Sequence, residues 1–180
     1  MAINLNGGTP TPTAQQEPTT AAEEIGGIKC QPLTALKGKA LNLGNGGTFP
    51  NVCKDGDTFT VVEGKAAEFR DKAGQTHLYP AIVCKSASWT AVVSVKALVK
   101  QRVSKKGILT PQGDLADAIR QLPAQDAAEA VAQLCTAIGS QTLTLRVIEY
   151  VNAKDTAARL HEVYTDGRKA APEDARLTIA

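Results

Sequence analysis

The side chains able to do nucleophilic or metal chemistry are few in this chain of 180 residues, and they stand far apart. The histidines are His77 and His161. The cysteines are separated by 23, 31 and 51 residues, without a C-x-x-C pair: Cys30, Cys53, Cys84 and Cys135. Zinc sites need several such ligands at short, characteristic spacings. We therefore expect no metal, no cofactor and free buried thiols, with one disulfide as the alternative.

A nucleophile beside a base is also not evident in the sequence. His77 and Cys84 lie seven residues apart in one predicted strand, so their side chains point to opposite faces. His161 lies in another predicted strand, close to Arg159 and Glu162. These positions indicate surface or edge histidines. We expect no catalytic residue and a protein that is not an enzyme.

Two loops resemble ligand-binding motifs and depart from them. Asp55 and Asp57 resemble the start of a calcium-binding loop, but Ala66 stands where that loop needs an acid. The glycine-rich run 44–47 lacks the G-K-[ST] ending of a phosphate-binding loop, and no helix pattern follows it. These motifs therefore predict no small-molecule substrate.

A local cluster of positive charge is the strongest indication of a binding surface. It has five cations within eleven residues and no acid among them: Lys96, Lys100, Arg102, Lys105 and Lys106. The first three share the polar side of a predicted strand, and the last two follow in a loop. This basic strip is a candidate contact for nucleic acid or an acidic partner. The alternative is a solvated sheet edge whose lysines prevent aggregation.

The strand that would position the basic strip is predicted over residues 88–103. Apolar residues such as Trp89, Val93 and Val99 alternate with polar ones along it. Sixteen residues of strand would extend roughly 50 Å, whereas a domain of this size has a radius of gyration of roughly 15 Å. The strand must therefore bend, break at a bulge or project. Trp89 falls on the apolar side, so the strip lacks a stacking ring unless a tyrosine comes close.

The rest of region 28–103 has the pattern of a meander of strands. Strands are predicted at 58–63 and 66–70, then a four-residue turn at 71–74, and a return strand at 76–84. Pro80 in the return strand indicates an edge position or a bulge, because proline cannot donate to a β-ladder.

Two helices are predicted after these strands. Thr110 fits an N-cap, with Pro111 at the first helical position. At the start of the second helix, Asp126 and Glu129 have capping-box spacing, and Gly139 marks its end. The apolar residues of both segments recur at helical spacing.

The final third of the domain is predicted to return to strands, at 142–151, 159–165 and, as a short edge strand, 177–179. The order of strands, two helices and strands indicates an α+β fold. We expect a mainly antiparallel sandwich or partly closed barrel, with two short helices between the strand groups. Residues 1–27 are predicted to be a flexible N-terminal arm rich in Thr and Pro, and 28–180 a single domain.

The composition limits the partners and the location. The formal net charge is +2, so no global attraction to nucleic acid or acidic membranes follows. No apolar run is long enough to span a membrane, and the N-terminus lacks the pattern of a secretory signal. We expect no membrane partner and a cytoplasmic protein, or one incorporated in a virion.

Two functions remain as hypotheses. The first is a structural protein that self-assembles through its arm and sheet edges, as capsid, decoration and tail proteins of viruses and phages do. This hypothesis predicts a homo-oligomer or a larger assembly. The alternative is a single-stranded nucleic-acid-binding protein with an OB-like barrel, which would use the basic strip.

Overall fold

The computed structural model describes residues 22–43, 49–99, 101–103, 109–111, 114–151, 157–165, 176–177 and 179. Its strands and helices follow in this order: β1 Glu23–Ile25, β2 Ile28–Gln31, β3 Thr58–Arg70, β4 Thr76–Ser86, β5 Thr90–Ser94, β6 Gln101–Val103, β7 Leu109–Pro111, α1 Asp114–Arg120, α2 Ala127–Ile138, β8 Leu143–Val151 and β9 Ala157–Tyr164. Two short 3-10 helices are Leu33–Leu36 and Val95–Leu98.

Seven of these strands form one antiparallel sheet. The order is β1-β2-β3-β4-β5, and β8 pairs with β3 on one side and β9 on the other. Strands β6 and β7 form a separate two-stranded sheet. The predicted α+β fold, mainly antiparallel with two helices between strand groups, is confirmed. Within the described residues the sheet is not closed into a barrel.

The long β3–β4 hairpin is the centre of the sheet. Its turn is one residue longer than the predicted four, because Arg70 pairs with Thr76. The Asp71 carboxylate accepts the backbone N–H groups of Ala73 and Gln75, both at 2.9 Å, and so holds the extra residue. Pro80 lies just outside the ladder between β4 and β5, which begins at Ala81, as the edge prediction requires.

The central strands are buried on both faces. The β1–β2 hairpin covers one face, over an apolar cluster of Cys30, Ala67, Ala81, Val83 and Val92. The opposite face packs against the helices and β8–β9, and its cluster includes Phe59, Ile82, Val93, Leu134 and Leu145. Burial on both faces explains why β4 and β5 contain unbroken apolar runs where strict alternation would leave one face polar.

Helix α2 begins and ends as the sequence predicts. Asp126 accepts the backbone N–H of Glu129 and so caps the helix, whereas the Glu129 carboxylate accepts the backbone N–H of Gln125, one residue before the N-cap that a capping box would use. Gly139 terminates the helix with φ of 60°. The start predicted for α1 is wrong: residues Leu109–Pro111 pair with Gln101–Val103, and the helix begins at Asp114.

The single long strand predicted over 88–103 is wrong beyond Ser94. There the Ser94 hydroxyl accepts the backbone N–H of Lys96, and the chain turns into the 3-10 helix Val95–Leu98. Val95, Ala97, Leu98 and Val99 are all buried, which a strand with one polar face could not achieve. The chain thus breaks, one of the outcomes that the strand's length demanded.

The sheet begins at Glu23, inside the range 1–27 predicted as the arm. Residues 1–21 lie outside the described residues, and their assignment to a flexible arm stays a prediction. At the other end, Leu177 donates its backbone N–H to Val163, and Arg176 forms one bridge with Tyr164. No helix in the described part of the chain has the length and apolarity needed to cross a bilayer.

Candidate interaction surfaces

The residues of the basic strip lie on several elements. Lys96 is half-buried on the 3-10 helix Val95–Leu98, and Arg102 lies on β6, across from Thr110. Lys100, Lys105 and Lys106 lie outside the described residues. The shared strand face that first grouped these cations does not exist, because β5 ends before Lys96. A common surface for the five cations stays a prediction.

The cysteines lack the properties of a nucleophile. All four are free thiols; Cys30, Cys53 and Cys84 are buried, and Cys135 is half-buried. Burial raises the pKa of Cys53 and of Cys135 to about 11, and it raises the pKa of Cys84 further. These thiols remain protonated near neutral pH, so their contribution is to the packing of the core.

His161 is buried in the core beside an aromatic ring. It lies on β9 opposite Val147, is 4% exposed, and its ring centroid is 5.4 Å from that of Phe49. Neither ring nitrogen has a hydrogen-bond partner among the described residues. Burial, with a smaller effect of the nearby Arg159 cation, lowers the pKa of His161 to about 4. The ring is therefore neutral at pH 7.

His77 lies at the end of the β3–β4 hairpin, beside the exposed ring of Phe69 and the half-buried ring of Tyr79. Its Nε2 is 2.7 Å from the Asp71 carboxylate, and this contact is the largest cause of the lowered pKa of Asp71. The imidazole stacks on Phe69, with ring centroids 5.1 Å apart and planes at 26°. Tyr79 follows, its centroid 5.8 Å from that of Phe69. We call Phe69, His77 and Tyr79 the hairpin aromatic set.

The hairpin aromatic set was not foreseen from the sequence. Phe69 and His77 are directly opposite each other only because the turn has one residue more than predicted. A four-residue turn would have placed Phe69 opposite Thr76. The set also lies on different elements from the described residues of the basic strip, and Tyr79 packs at a tilted angle against Phe69 on β3–β4.

The β8–β9 hairpin is anchored to the domain at its base. Thr144 and Leu143 pair with the first residues of β3, and Val147 donates its backbone N–H to Asp55 at 2.9 Å. Beyond Val147, β8 and β9 pair only with each other among the described residues. The distal half carries partly exposed apolar side chains: Ile148, Tyr150 and Leu160. Val151 is 69% exposed.

A groove of about 790 Å³ lies between residues 40–43 and the two helices. Its walls include Leu41, Leu43 and Ile119. The acid in its lining, Asp126, accepts the backbone N–H groups of Gly38 and Glu129, both at 3.0 Å. That carboxylate is used to cap α2 and to fix the preceding loop.

In the part of the chain that the structure describes, no three or more His, Cys, Asp and Glu side chains are grouped so that they could hold a metal ion. Exposed or partly exposed apolar and aromatic side chains are grouped on two surfaces, the distal half of β8–β9 and the hairpin aromatic set. The chain matches no protein-family model, no curated protein and no solved structure.

Proposed function

We propose that this protein is a non-enzymatic structural component that self-assembles through sheet edges and its N-terminal arm, of the kind found in virus or phage particles. The observation in support is the distal half of the β8–β9 hairpin. A two-stranded hairpin without a third strand or a packed face is marginally stable in water. A hairpin of this kind gains stability when a neighbouring molecule packs on it.

The face of the hairpin that bears Ile148 offers apolar surface for such packing. Ile148 is directly opposite Leu160, and Tyr150 is opposite Ala158, so their side chains share one face. None of the three apolar clusters formed by the described residues includes Ile148, Tyr150 or Leu160. Burying these side chains between two copies would remove apolar surface from water without disturbing the core.

The outer edge of β9 offers backbone groups as well. From Ala157 to Glu162 the strand has no described partner on the side away from β8, whereas Val163 and Tyr164 are met there by Leu177 and Arg176. An edge strand with unpaired N–H and C=O groups can accept a strand from another chain. A second copy, or the arm of one, would continue the sheet at this edge.

The test is the mass of the protein in solution. Sedimentation velocity of the full chain should reveal a homo-oligomer or a larger particle, and electron microscopy should show its form. The double variant Ile148→Ser, Leu160→Ser should shift the population to monomer, with an association constant at least about tenfold weaker, because each buried aliphatic side chain contributes about 1.5–3 kcal/mol.

Val62→Ser is the matched control. Val62 is 56% exposed on β3, whose described pairing with β8 is confined to Thr58 and Phe59, so its replacement should leave association unchanged. A wild-type chain that remains monomeric at all concentrations would contradict the proposal. So would a hairpin double variant that assembles as the wild type does.

A further inference from the structure

We propose that the hairpin aromatic set is a binding site for single-stranded nucleic acid, in which one base stacks on the Phe69 ring and the flanking phosphates contact Arg70 and Lys72. This inference is independent of self-assembly and concerns a different surface.

The Phe69 ring is exposed and held in place. It is 47% exposed, although it lies beside two other rings. His77 stacks on it, and the Asp71 carboxylate fixes His77 at 2.7 Å. Tyr79 meets it at an interplanar angle of 59°. A ring that is already fixed loses little side-chain entropy when a ligand stacks on it.

A groove lies beside Phe69, where β2 and β3 separate. The ladder between these strands ends at Cys30 and Ala67, so Ile28 does not pair with Phe69. The space that opens is about 290 Å³, and its lining includes one acid beside the two cations: Gly27, Ile28, Lys29, Glu68, Phe69, Arg70 and Thr76. It combines apolar wall, cationic rim and hydroxyl, a combination suited to a planar base with phosphates attached.

The charges around the groove favour an anion. Arg70, Lys72 and Lys29 are exposed, and none has an ion-pair partner within 4.0 Å among the described residues. By contrast, Glu68 accepts a hydrogen bond from the Gln31 side chain at 2.7 Å, and the Asp71 carboxylate binds His77 and two backbone N–H groups.

Glu24 is opposite Lys29 in the β1–β2 ladder, and Glu68 lines the groove, so Arg70 and Lys72, toward the end of the hairpin, are the better phosphate contacts. An acidic peptide would satisfy these cations without using the ring. A polynucleotide would use both, because each base presents a π-face to stack and each link presents a phosphate.

The experiment compares a fluorescein-labelled oligothymidylate with an abasic phosphodiester of equal length, both titrated with the full chain at low salt. The wild type should bind the oligothymidylate more tightly. Phe69→Ala should weaken that binding by about tenfold and leave the abasic strand unaffected, since base stacking alone is lost. Arg70→Gln with Lys72→Gln should weaken both and flatten the salt dependence.

Phe69→Trp is the positive control, because an exposed indole retains the stacking surface and its fluorescence should be quenched by the bound base. Val62→Ala is the matched negative control, since Val62 is 56% exposed on the same strand. No binding of the oligothymidylate at low salt would overturn the proposal. The proposal would also be overturned if Phe69→Ala weakened binding of the oligothymidylate and of the abasic phosphodiester equally. If Phe69→Ala altered the sedimentation of the protein and left oligonucleotide binding unchanged, the Phe69 ring would instead be assigned to contacts between protein molecules.

Discussion

The imidazole of His161 lies in surroundings that favour its neutral form. Phe49 packs against the ring, Val147 is opposite on β8, and the charged group that affects its pKa is Arg159, a cation. In the unfolded chain a histidine has a pKa near 6.5, whereas in the fold the pKa of His161 is about 4. Between these values the unfolded chain binds a proton that the folded protein does not.

Stability should therefore fall as pH decreases from about 6.5 to about 4, with a loss of at most roughly 3 kcal/mol from this residue. His161→Leu should remove that component, because no proton is then taken up on unfolding. Urea unfolding at pH 7 and pH 4.5 measures the difference. The pKa values of Asp71 and Asp126 are lowered from their ordinary 3.8, so these carboxylates change the stability mainly at pH values below the range in which His161 does. An equal pH slope in the variant would contradict the assignment.

Among the elements, α2 packs closely on β3 because Gly64 of β3 has no side chain. A Cβ on Gly64 would lie 2.6 Å from Val131 Cγ1 and 2.8 Å from Leu33 Cδ1. Gly64→Ala should therefore lower the free energy of unfolding by about 1–3 kcal/mol through overpacking. Val131→Ala removes one of the two obstructing atoms, so the double variant should lose less than the sum of the single losses. Strict additivity in denaturant titrations would contradict this packing.

The elements that could be predicted are those with local signals. The N-cap at Asp126 and the two β strands after α2 have their determinants within a few residues, and they were predicted correctly. The end of β5 at Ser94 was not, because it depends on burying Val95–Val99 against distant parts of the chain. The helix start predicted at Thr110 failed for a different reason, since β7 pairs with the nearby strand β6.

Candidate surfaces were harder to predict than the fold, because they depend on which strands pair and where. The basic strip was grouped by the alternation of one strand, and the break at Ser94 removed that basis. The hairpin aromatic set exists through the register of β3 with β4, which a single residue in the turn decides. The partly exposed face of β8–β9 follows from where the ladder with β3 stops.

At the scale of the whole molecule, the boundary between arm and domain can be tested by two truncations. Ile25 packs on the cluster around Cys30, and Glu23 forms an ion pair with Lys65 at 3.2 Å, so β1 is part of the domain. Removing residues 1–21 should leave the urea midpoint unchanged while weakening assembly. Removing residues 1–27 should also lower the free energy of unfolding by about 1–3 kcal/mol, because Ile25 and the β1–β2 ladder are lost.

The two truncations separate folding from association, since unfolding and sedimentation are measured on the same samples. If removing residues 1–21 already lowers the urea midpoint, these residues belong to the fold of their own domain and are not an arm. If it leaves both the midpoint and the sedimentation profile of an assembled wild type unchanged, assembly proceeds through the sheet edges without the arm. Only a loss of assembly with an unchanged midpoint assigns residues 1–21 to a neighbouring copy.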